Sequence, residues 1–144
     1  MAIDPGCFLN VDLDIYSKVD LQPLVDALGN DVSILFVGRV RRTYEAHLEL
    51  RYSHKKTPSK IIQSLCKLIE MLPSDARQLW DEARLRTFDI GIDAPSRNGY
   101  FRSAISPEAV IAAAKIGAQI AITVYGPMKV PETSKGKRTA QVAK

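Results

Sequence analysis

One short pattern occurs twice in the chain, and this repetition constrains the fold more than any other feature of the sequence. Residues 28–38 read LGNDVSILFVG and residues 116–126 read IGAQIAITVYG, and the two segments align without a gap, with Gly29 opposite Gly117. Each copy reads as the end of a helix, a glycine that reverses the chain, and a return strand. The repetition therefore predicts two related β-α-β units, the first entered by LDIYSKVD and the second by FRSAISPE.

Alternation of apolar and polar residues predicts half-buried strands in three segments, because successive side chains of a strand point to opposite faces. These segments are 8–16, 44–53 and 86–94. Residues 32–38 are apolar almost throughout, which favours a central strand covered on both faces, or on one face and partly on the other. Further strands are predicted at 100–105 and 119–126, and Asn98-Gly99 predicts a hairpin turn before 100–105.

Capping residues mark the predicted helices. Thr57 and Ser106 are typical N-cap residues, and each is followed by a proline that suits the first helical position. Gly29 and Gly117 are suited to the left-handed backbone conformation that ends a helix. The long middle helix ends before Pro73, and a short second helix follows, within which Trp80 is expected to pack inward.

These elements give the order βαββα(α)ββαβ. Strands with one polar face need helices on one side of the sheet only, so the fold class is α+β, with a largely antiparallel sheet and the helices on one face. A ferredoxin-like arrangement, or a doubled β-α-β arrangement, is the nearest common plan.

The total charge of +4 is concentrated at one end of the chain. Residues 129–144 contain five lysines and arginines against Glu132 alone, which accounts for the whole excess. We therefore expect one α+β domain over residues 1–128, followed by a basic, mobile tail over 129–144. The chain has no apolar run long enough to span a bilayer and no secretory signal pattern, which favours a cytoplasmic protein. Cys66 lies in an apolar helical stripe and is expected to be a buried thiol; a disulfide with Cys7 stays open.

The second half of the chain resembles the bacterial family of domain of unknown function 4279. The resemblance spans residues 28–127 and rests on a middle helix ending in Leu-Pro, a short second helix, an alternating strand and a closing module. The module corresponds to Ile105, Ser106, Pro107, Glu108, Ile116, Gly117, Ala118, Val124 and Tyr125. Members of the family often carry a tryptophan in the strand that matches 44–53, where this chain has none. The resemblance implies the fold, and since no activity is established for the family, it implies no reaction.

Motifs for known chemistry are absent from the sequence. It contains neither of the glycine-rich phosphate-binding patterns, and His47 and His54, the two histidines, lack the spacing of metal ligands, so we expect no cofactor and no metal. Aspartates 12, 14, 89 and 93 lie at alternate positions on the polar faces of two strands. If these strands were neighbours, the carboxylates could converge for acid–base work; we favour a solvated face, balanced by Arg39, Arg41, Arg51 and Arg102.

The densest basic segment covers residues 39–60, which suits either an acidic protein partner or nucleic acid. The leading hypothesis is a non-catalytic protein that binds a macromolecule, of the immunity or inhibitor type that neutralises a protein toxin. The alternative is a nucleic-acid-binding or processing protein that uses residues 39–60. An enzyme that uses His47 or the aspartates is the weakest hypothesis. The predicted partner-binding residues are Arg39, Arg41, Arg42, His47, Arg51, Asp89 and Asp93.

Overall fold

A computed structural model describes residues 7–94 and 100–126 of the chain. The strands are β1 (Phe8–Ser17), β2 (Val32–Val40), β3 (Thr43–Leu50), β4 (Leu85–Asp93) and β5 (Gln119–Tyr125). The helices are α1 (Gln22–Leu28), α2 (Pro58–Glu70), α3 (Ser74–Asp81) and α4 (Pro107–Lys115), and one 3₁₀ turn (Gly29–Asp31) joins α1 to β2. The α+β class is confirmed.

The five strands form one sheet in the order β2-β3-β1-β4-β5. Pairing is antiparallel between β2 and β3, β3 and β1, and β1 and β4, whereas β5 lies parallel to β4. The first four strands with α1 and α2 therefore follow the ferredoxin-like βαββαβ order, which α4 and β5 extend by a further crossover. The two copies of the repeated pattern become β2 and β5, at opposite edges of the sheet.

The helices cover one face of the sheet, and the core lies between the two layers. Alternate residues of β1 point into it, and Val11, Leu13 and Ile15 are fully buried. Helix α2 supplies an apolar stripe that includes Ile61, Ile62, Leu65, Cys66 and Ile69. Within the described residues, none of the helices is both long and apolar enough to cross a membrane.

The helix termini form as their residues predict. The Thr57 side chain accepts a hydrogen bond from the Lys60 backbone N–H at 3.2 Å, and the Ser106 side chain accepts one from Ala109 at 3.1 Å. Gly29 and Gly117 both have positive φ, of 64° and 77°. Gly29 has ψ of −140°, however, so it adopts an extended conformation that is open almost only to glycine rather than the left-handed helical conformation.

The expectation for residues 32–38 is wrong. This segment is the edge strand β2, and Ile34, Leu35 and Phe36 are 52%, 52% and 41% exposed. Its apolar composition fits a buried strand. The β2–β3 turn pairs it with β3, however, and because β1 occupies the other side of β3, β2 lies at the outside of the sheet.

The predicted strand at 100–105 is also absent, because this described segment has no ladder partner and leads directly to α4. The strand of the second β-α-β unit is therefore β4. The Asn98-Gly99 turn, and the tail at 129–144, lie outside the described residues. Both cysteines are buried and no disulfide joins them, so the open alternative of a bridge is not realised.

Candidate functional site: the acidic face of the sheet

The face of the sheet opposite the helices carries most of the titratable side chains of the strands. Strand alternation places six carboxylates on it, and we call this set with His47 the acidic face. Its carboxylates are Asp12, Asp14, Glu45, Glu49, Asp89 and Asp93. No lysine or arginine occupies an open-face position of the described strands. A chain with a net positive charge thus presents a locally negative surface.

Three carboxylates lie in a row across the middle of this face. Asp12 on β1 is directly opposite Glu49 on β3 and directly opposite Asp89 on β4. Burial is the main cause that raises the pKa of Asp12 to about 7, and a hydrogen bond to Glu49 and the negative charges of neighbouring carboxylates add to the rise. Asp12 therefore carries its proton up to about neutral pH, and the protonated carboxyl can hydrogen-bond to Glu49. Asp89 is held by the Thr123 hydroxyl of β5, which donates to its two carboxylate oxygens at 2.8 and 3.0 Å.

His47 is the cationic centre of the acidic face. Its Nδ1 lies 2.7 Å from Asp14 Oδ1 and its Nε2 lies 3.0 Å from Glu45 Oε1. Because both carboxylates are acceptors, this geometry requires a proton on each ring nitrogen. Partial burial lowers the pKa of His47, but the hydrogen bonds to Asp14 and Glu45 outweigh that cost and raise it above the ordinary value. The rings of Tyr16 and Phe36 flank the imidazole at 5.7 and 6.2 Å between centroids.

A shallow depression of about 300 Å³ lies beside the row of carboxylates. Its lining combines acids with apolar and amide groups, from Leu9, Asn10, Asp12, Glu49, Asp89, Gly91 and Tyr125. The Tyr125 ring comes within 3.7 Å of the place a Cβ would occupy on Gly91, so the glycine leaves room for the ring against β4. The depression can accept a cationic group that projects from a partner, with an aromatic side chain beside it.

The predicted site residues fall into separate regions of the structure. His47, Asp89 and Asp93 share the acidic face, with β1 between His47 and the two aspartates. Arg39, Arg41 and Arg42 lie at the turn between β2 and β3, where the Arg39 guanidinium stacks 5.8 Å from the centre of the Tyr44 ring and donates to the Arg41 carbonyl at 3.0 Å.

Arg51 lies at the other end of β3 and donates to the Val32 carbonyl at 3.3 Å. In the described part of the chain, the cation within ion-pair distance of these carboxylates is His47, paired with Asp14 and Glu45. The expected balance of the aspartates by Arg39, Arg41, Arg51 and Arg102 is therefore wrong. Arg39 and Arg51 instead donate hydrogen bonds to backbone carbonyls at the ends of the strands.

The sequence does not single out Glu45 and Glu49 as partner-binding residues, although their alternation with Leu48 and Leu50 places them on the polar face of β3. It groups Asp12 and Asp14 as one ladder but does not indicate that they neighbour these glutamates. The missing information was strand order, since β1 lies between β3 and β4 and brings acids from three strands together.

The chemistry available to the acidic face is cation binding and proton exchange near neutral pH. Within residues 7–94 and 100–126, no set of three or more histidine, cysteine or acidic side chains has an arrangement that could hold a metal ion. The carboxylates lie on an open sheet surface rather than in an enclosed cleft, which suits a macromolecular partner better than a small substrate.

Comparisons of the chain with family models, with curated proteins and with solved structures found no match. The resemblance to the family of domain of unknown function 4279 therefore stays a prediction from the sequence.

Proposed function

We propose that this protein is a non-catalytic, cytoplasmic binding protein of the immunity or inhibitor type, and that its acidic face binds a basic surface of a protein toxin. We also propose that the chain is related to the bacterial family of domain of unknown function 4279. The observation that best supports the binding proposal is the row Glu49–Asp12–Asp89, in which three carboxyl groups are held side by side without a lysine or arginine neighbour on the face.

Such a row is unfavourable in the isolated protein. Like charges directly opposite each other destabilise a sheet. The pKa of Asp12 is raised mainly by burial, and the neighbouring carboxylates raise it further because a second negative charge beside them is unfavourable. A basic partner would relieve the repulsion on binding, because each lysine or arginine would meet carboxylates already held in place by the strands. An inhibitor built this way fits a toxin whose working surface is basic, such as one that acts on phosphate-bearing polymers, since the carboxylates offer the same charge pattern as phosphates.

The experiment uses a face-neutralised variant carrying Asp14→Asn, Glu49→Gln and Asp89→Asn. Tagged wild-type protein is expected to retain a stoichiometric basic protein from native lysate. It is expected to inhibit the activity of that protein once the two are purified. The variant is expected to bind it at least about tenfold more weakly.

A matched variant with Asp26→Asn, Asp75→Asn and Glu108→Gln makes the same change in net charge at exposed positions of the helix layer. It is expected to bind as the wild type does. Recovery of no stoichiometric protein, or equal loss of affinity in the two variants, would contradict the proposal.

Nucleic-acid binding is the second candidate, and one cavity favours it. A space of about 700 Å³ between the start of β1 and the loop before α2 is lined by Ser53, His54, Lys55 and Lys56 together with apolar side chains. Three arginines of the same basic segment, Arg39, Arg41 and Arg42, lie at the far end of β3, whose eight residues separate the two groups by about 26 Å. Binding to a short RNA that falls after Lys55→Gln and Lys56→Gln, but not after Arg41→Gln and Arg42→Gln, would support this candidate.

A further inference from the structure

The cavity between the start of β1 and the loop before α2 combines polar and apolar surfaces. The polar part comes from Ser53, His54, Lys55 and Lys56 of the loop and from Asn10 of β1. The apolar part comes from the start of β1 and from the first turn of α2. The cavity volume of about 700 Å³ lies within the range of small-molecule sites, about 300–1,000 Å³.

The polar groups of this cavity are suited to donate hydrogen bonds to an anion. No aspartate or glutamate is among the described residues that line it. In the described part of the chain, the ion pairs involve other residues, so no carboxylate neutralises Lys55 or Lys56. Asn10 Oδ1 accepts the Val11 backbone N–H at 2.8 Å, which leaves the NH₂ group of the amide as its remaining donor. A ligand for this lining must therefore be rich in acceptors and negatively charged.

Helix α2 adds a positive partial charge at the same place. Ile61 lines the cavity, and its N–H closes the first turn of this 13-residue helix on the Thr57 carbonyl at 3.0 Å. The N-terminus of a helix favours anions, because its backbone dipoles are aligned with their positive ends there. The helix and the two lysines therefore act in the same direction.

The loop holds its lysines in a strained turn. The Lys56 N–H donates to the Ser53 carbonyl at 3.0 Å, and Lys55, the third residue of that turn, has a φ of 67°. This position normally takes glycine, because a side chain there is strained. Backbone strain of this kind is concentrated at functional sites. The turn thus fixes the backbone of both lysines beside the cavity.

The apolar part of the lining selects the rest of the ligand. It comprises Phe8, Leu9 and Ile61; Phe8 packs against the core, and Ile61 is almost completely buried. A nucleotide base has a flat π-face that stacks on an aromatic ring and acceptor atoms at its edge. It can therefore use both the Phe8 ring and the Asn10 amide, whereas a hydrocarbon chain would leave the amide without a partner.

We propose that this cavity binds a single nucleoside monophosphate, with the phosphate at Lys55 and Lys56 and the base against Phe8. The inference deepens the second candidate function and rests on it for the choice of cavity; it does not depend on toxin binding. The nucleotide is either free or the terminal residue of an RNA chain, since both present the same phosphate and base.

The neighbouring depression on the acidic face favours one nucleotide over a longer run. Leu9 and Asn10 line both cavities, so this cavity adjoins the depression that contains Asp12 and Glu49. A polymer that continued across β1 would bring its next phosphates against these carboxylates. Because affinity for a nucleic-acid chain grows with the number of phosphates that are neutralised, such a path would add little binding.

The first test titrates the whole chain by calorimetry with the common ribonucleoside 5′-monophosphates, the matching nucleosides, ribose 5-phosphate and inorganic phosphate. The tightest nucleotide is expected to bind one site with a dissociation constant on the order of 100 µM, and its fragments at least about tenfold more weakly. Lys55→Gln with Lys56→Gln is expected to weaken nucleotide binding at least about tenfold. Lys18→Gln with Lys67→Gln removes the same charge at exposed positions near the far ends of β1 and α2 and is expected to leave binding unchanged.

Phe8→Leu tests the position of the base. It keeps an apolar side chain against the core and removes the ring, so nucleotide affinity is expected to fall about fivefold or more while binding of inorganic phosphate stays unchanged. The difference between a nucleotide and ribose 5-phosphate on the wild-type protein measures the same contribution without any substitution, so the result does not depend on the folding of the variant.

A four-residue RNA with and without a 5′-phosphate separates the two sources of the ligand. A chain end is indicated if the phosphorylated RNA binds at least as tightly as the free nucleotide, and a free nucleotide if it binds more weakly. Absence of saturable nucleotide binding, equal affinity for inorganic phosphate and nucleotide, or equal loss of affinity in the two lysine pairs would each overturn the proposal. RNA binding that persists without mononucleotide binding would overturn this inference alone and leave the second candidate function standing.

Discussion

Asp12 and Glu49 are direct cross-strand neighbours on β1 and β3, and their carboxyl groups share a hydrogen bond that needs one proton. Burial is the largest cause of the rise in the pKa of Asp12 to about 7, and nearby carboxylates add to it. The charge of the acidic face therefore changes around neutral pH, where a partner would bind.

Replacement of Asp12 by asparagine is expected to reduce the pH dependence of stability. The folded-state pKa of Asp12 is about 7, above its ordinary value of 3.8. Its contribution to the free energy of unfolding is therefore complete below pH 3.8 and is lost as the pH rises through about 7. Asparagine keeps the shape and cannot ionise. Urea denaturation measures the free energy of unfolding of Asp12→Asn relative to wild type. This difference should be about 1 kcal/mol more favourable to the variant at alkaline pH than at mildly acidic pH.

Asp75→Asn is the control for that measurement, because Asp75 is exposed at the start of α3. It should shift the free energy of unfolding little and equally at both pH values. An Asp12→Asn effect of the same size at the two pH values would show that the shared proton is not part of the folded state.

His47 is expected to stay protonated to higher pH than an ordinary histidine. The hydrogen bonds to Asp14 and Glu45 outweigh its burial and raise its pKa, so its stabilising contribution is complete below 6.5 and is lost as the pH rises through the higher folded value. Removing one acceptor with Asp14→Asn should lower the pKa. NMR titration of the ring signals measures the pKa of His47 in the wild type and in Asp14→Asn. His54→Gln identifies the signals of the second histidine. An unchanged pKa in Asp14→Asn would contradict the pairing.

The end of α3 is joined to the turn before β5 by two side chains. Trp80 Nε1 donates to the Ile116 carbonyl at 2.8 Å, and Arg86 donates to the carbonyls of Gly117, Trp80 and Asp81. Trp80→Phe leaves the buried Ile116 carbonyl without this donor and opens space, so it should lower the free energy of unfolding by about 2 kcal/mol or more. Tyr100→Phe is the aromatic control, since Tyr100 is 82% exposed and its loss of a hydroxyl should change little.

Gly117→Ala is expected to destabilise the protein by about 1–2 kcal/mol. Gly117 has φ of 77°, and an added Cβ would lie 3.2 Å from the Arg86 guanidinium that binds its carbonyl. Gly126→Ala is the matched control, because a Cβ there has no atom within 4 Å and no positive φ is involved. Thermal or urea unfolding compares the two. Equal effects would mean that the positive φ of Gly117 carries no cost.

Local features of the sequence predict local structure well in this protein. Thr57 and Ser106 cap helices as predicted, Trp80 packs inward, and the alternation of β1 separates buried Leu13 from Asp12 and Asp14 on the open face. These outcomes depend on residues a few positions apart, whose geometry is set by the backbone itself.

Strand neighbours were not predictable in the same way. The apolar run of β2 has the composition of a central strand, yet β2 lies at an edge, because β3 is its one partner among the described strands and the other side of β3 is occupied by β1. Likewise, no property of residues 100–105 reveals that they form no strand.

Local sequence accounts for the periodicity of the strands and helices, the helix caps, the glycine turns and the polarity of each strand face, since each follows from the rotation of the chain from one residue to the next. Which strands are neighbours is set only when the whole chain folds. By placing β1 between β3 and β4 the tertiary structure sets Asp12 between Glu49 and Asp89, and by leaving β2 outside it exposes Leu35. The physical reason is that strand pairing joins residues distant in the chain, and the energy that selects one order comes from burying all apolar faces together.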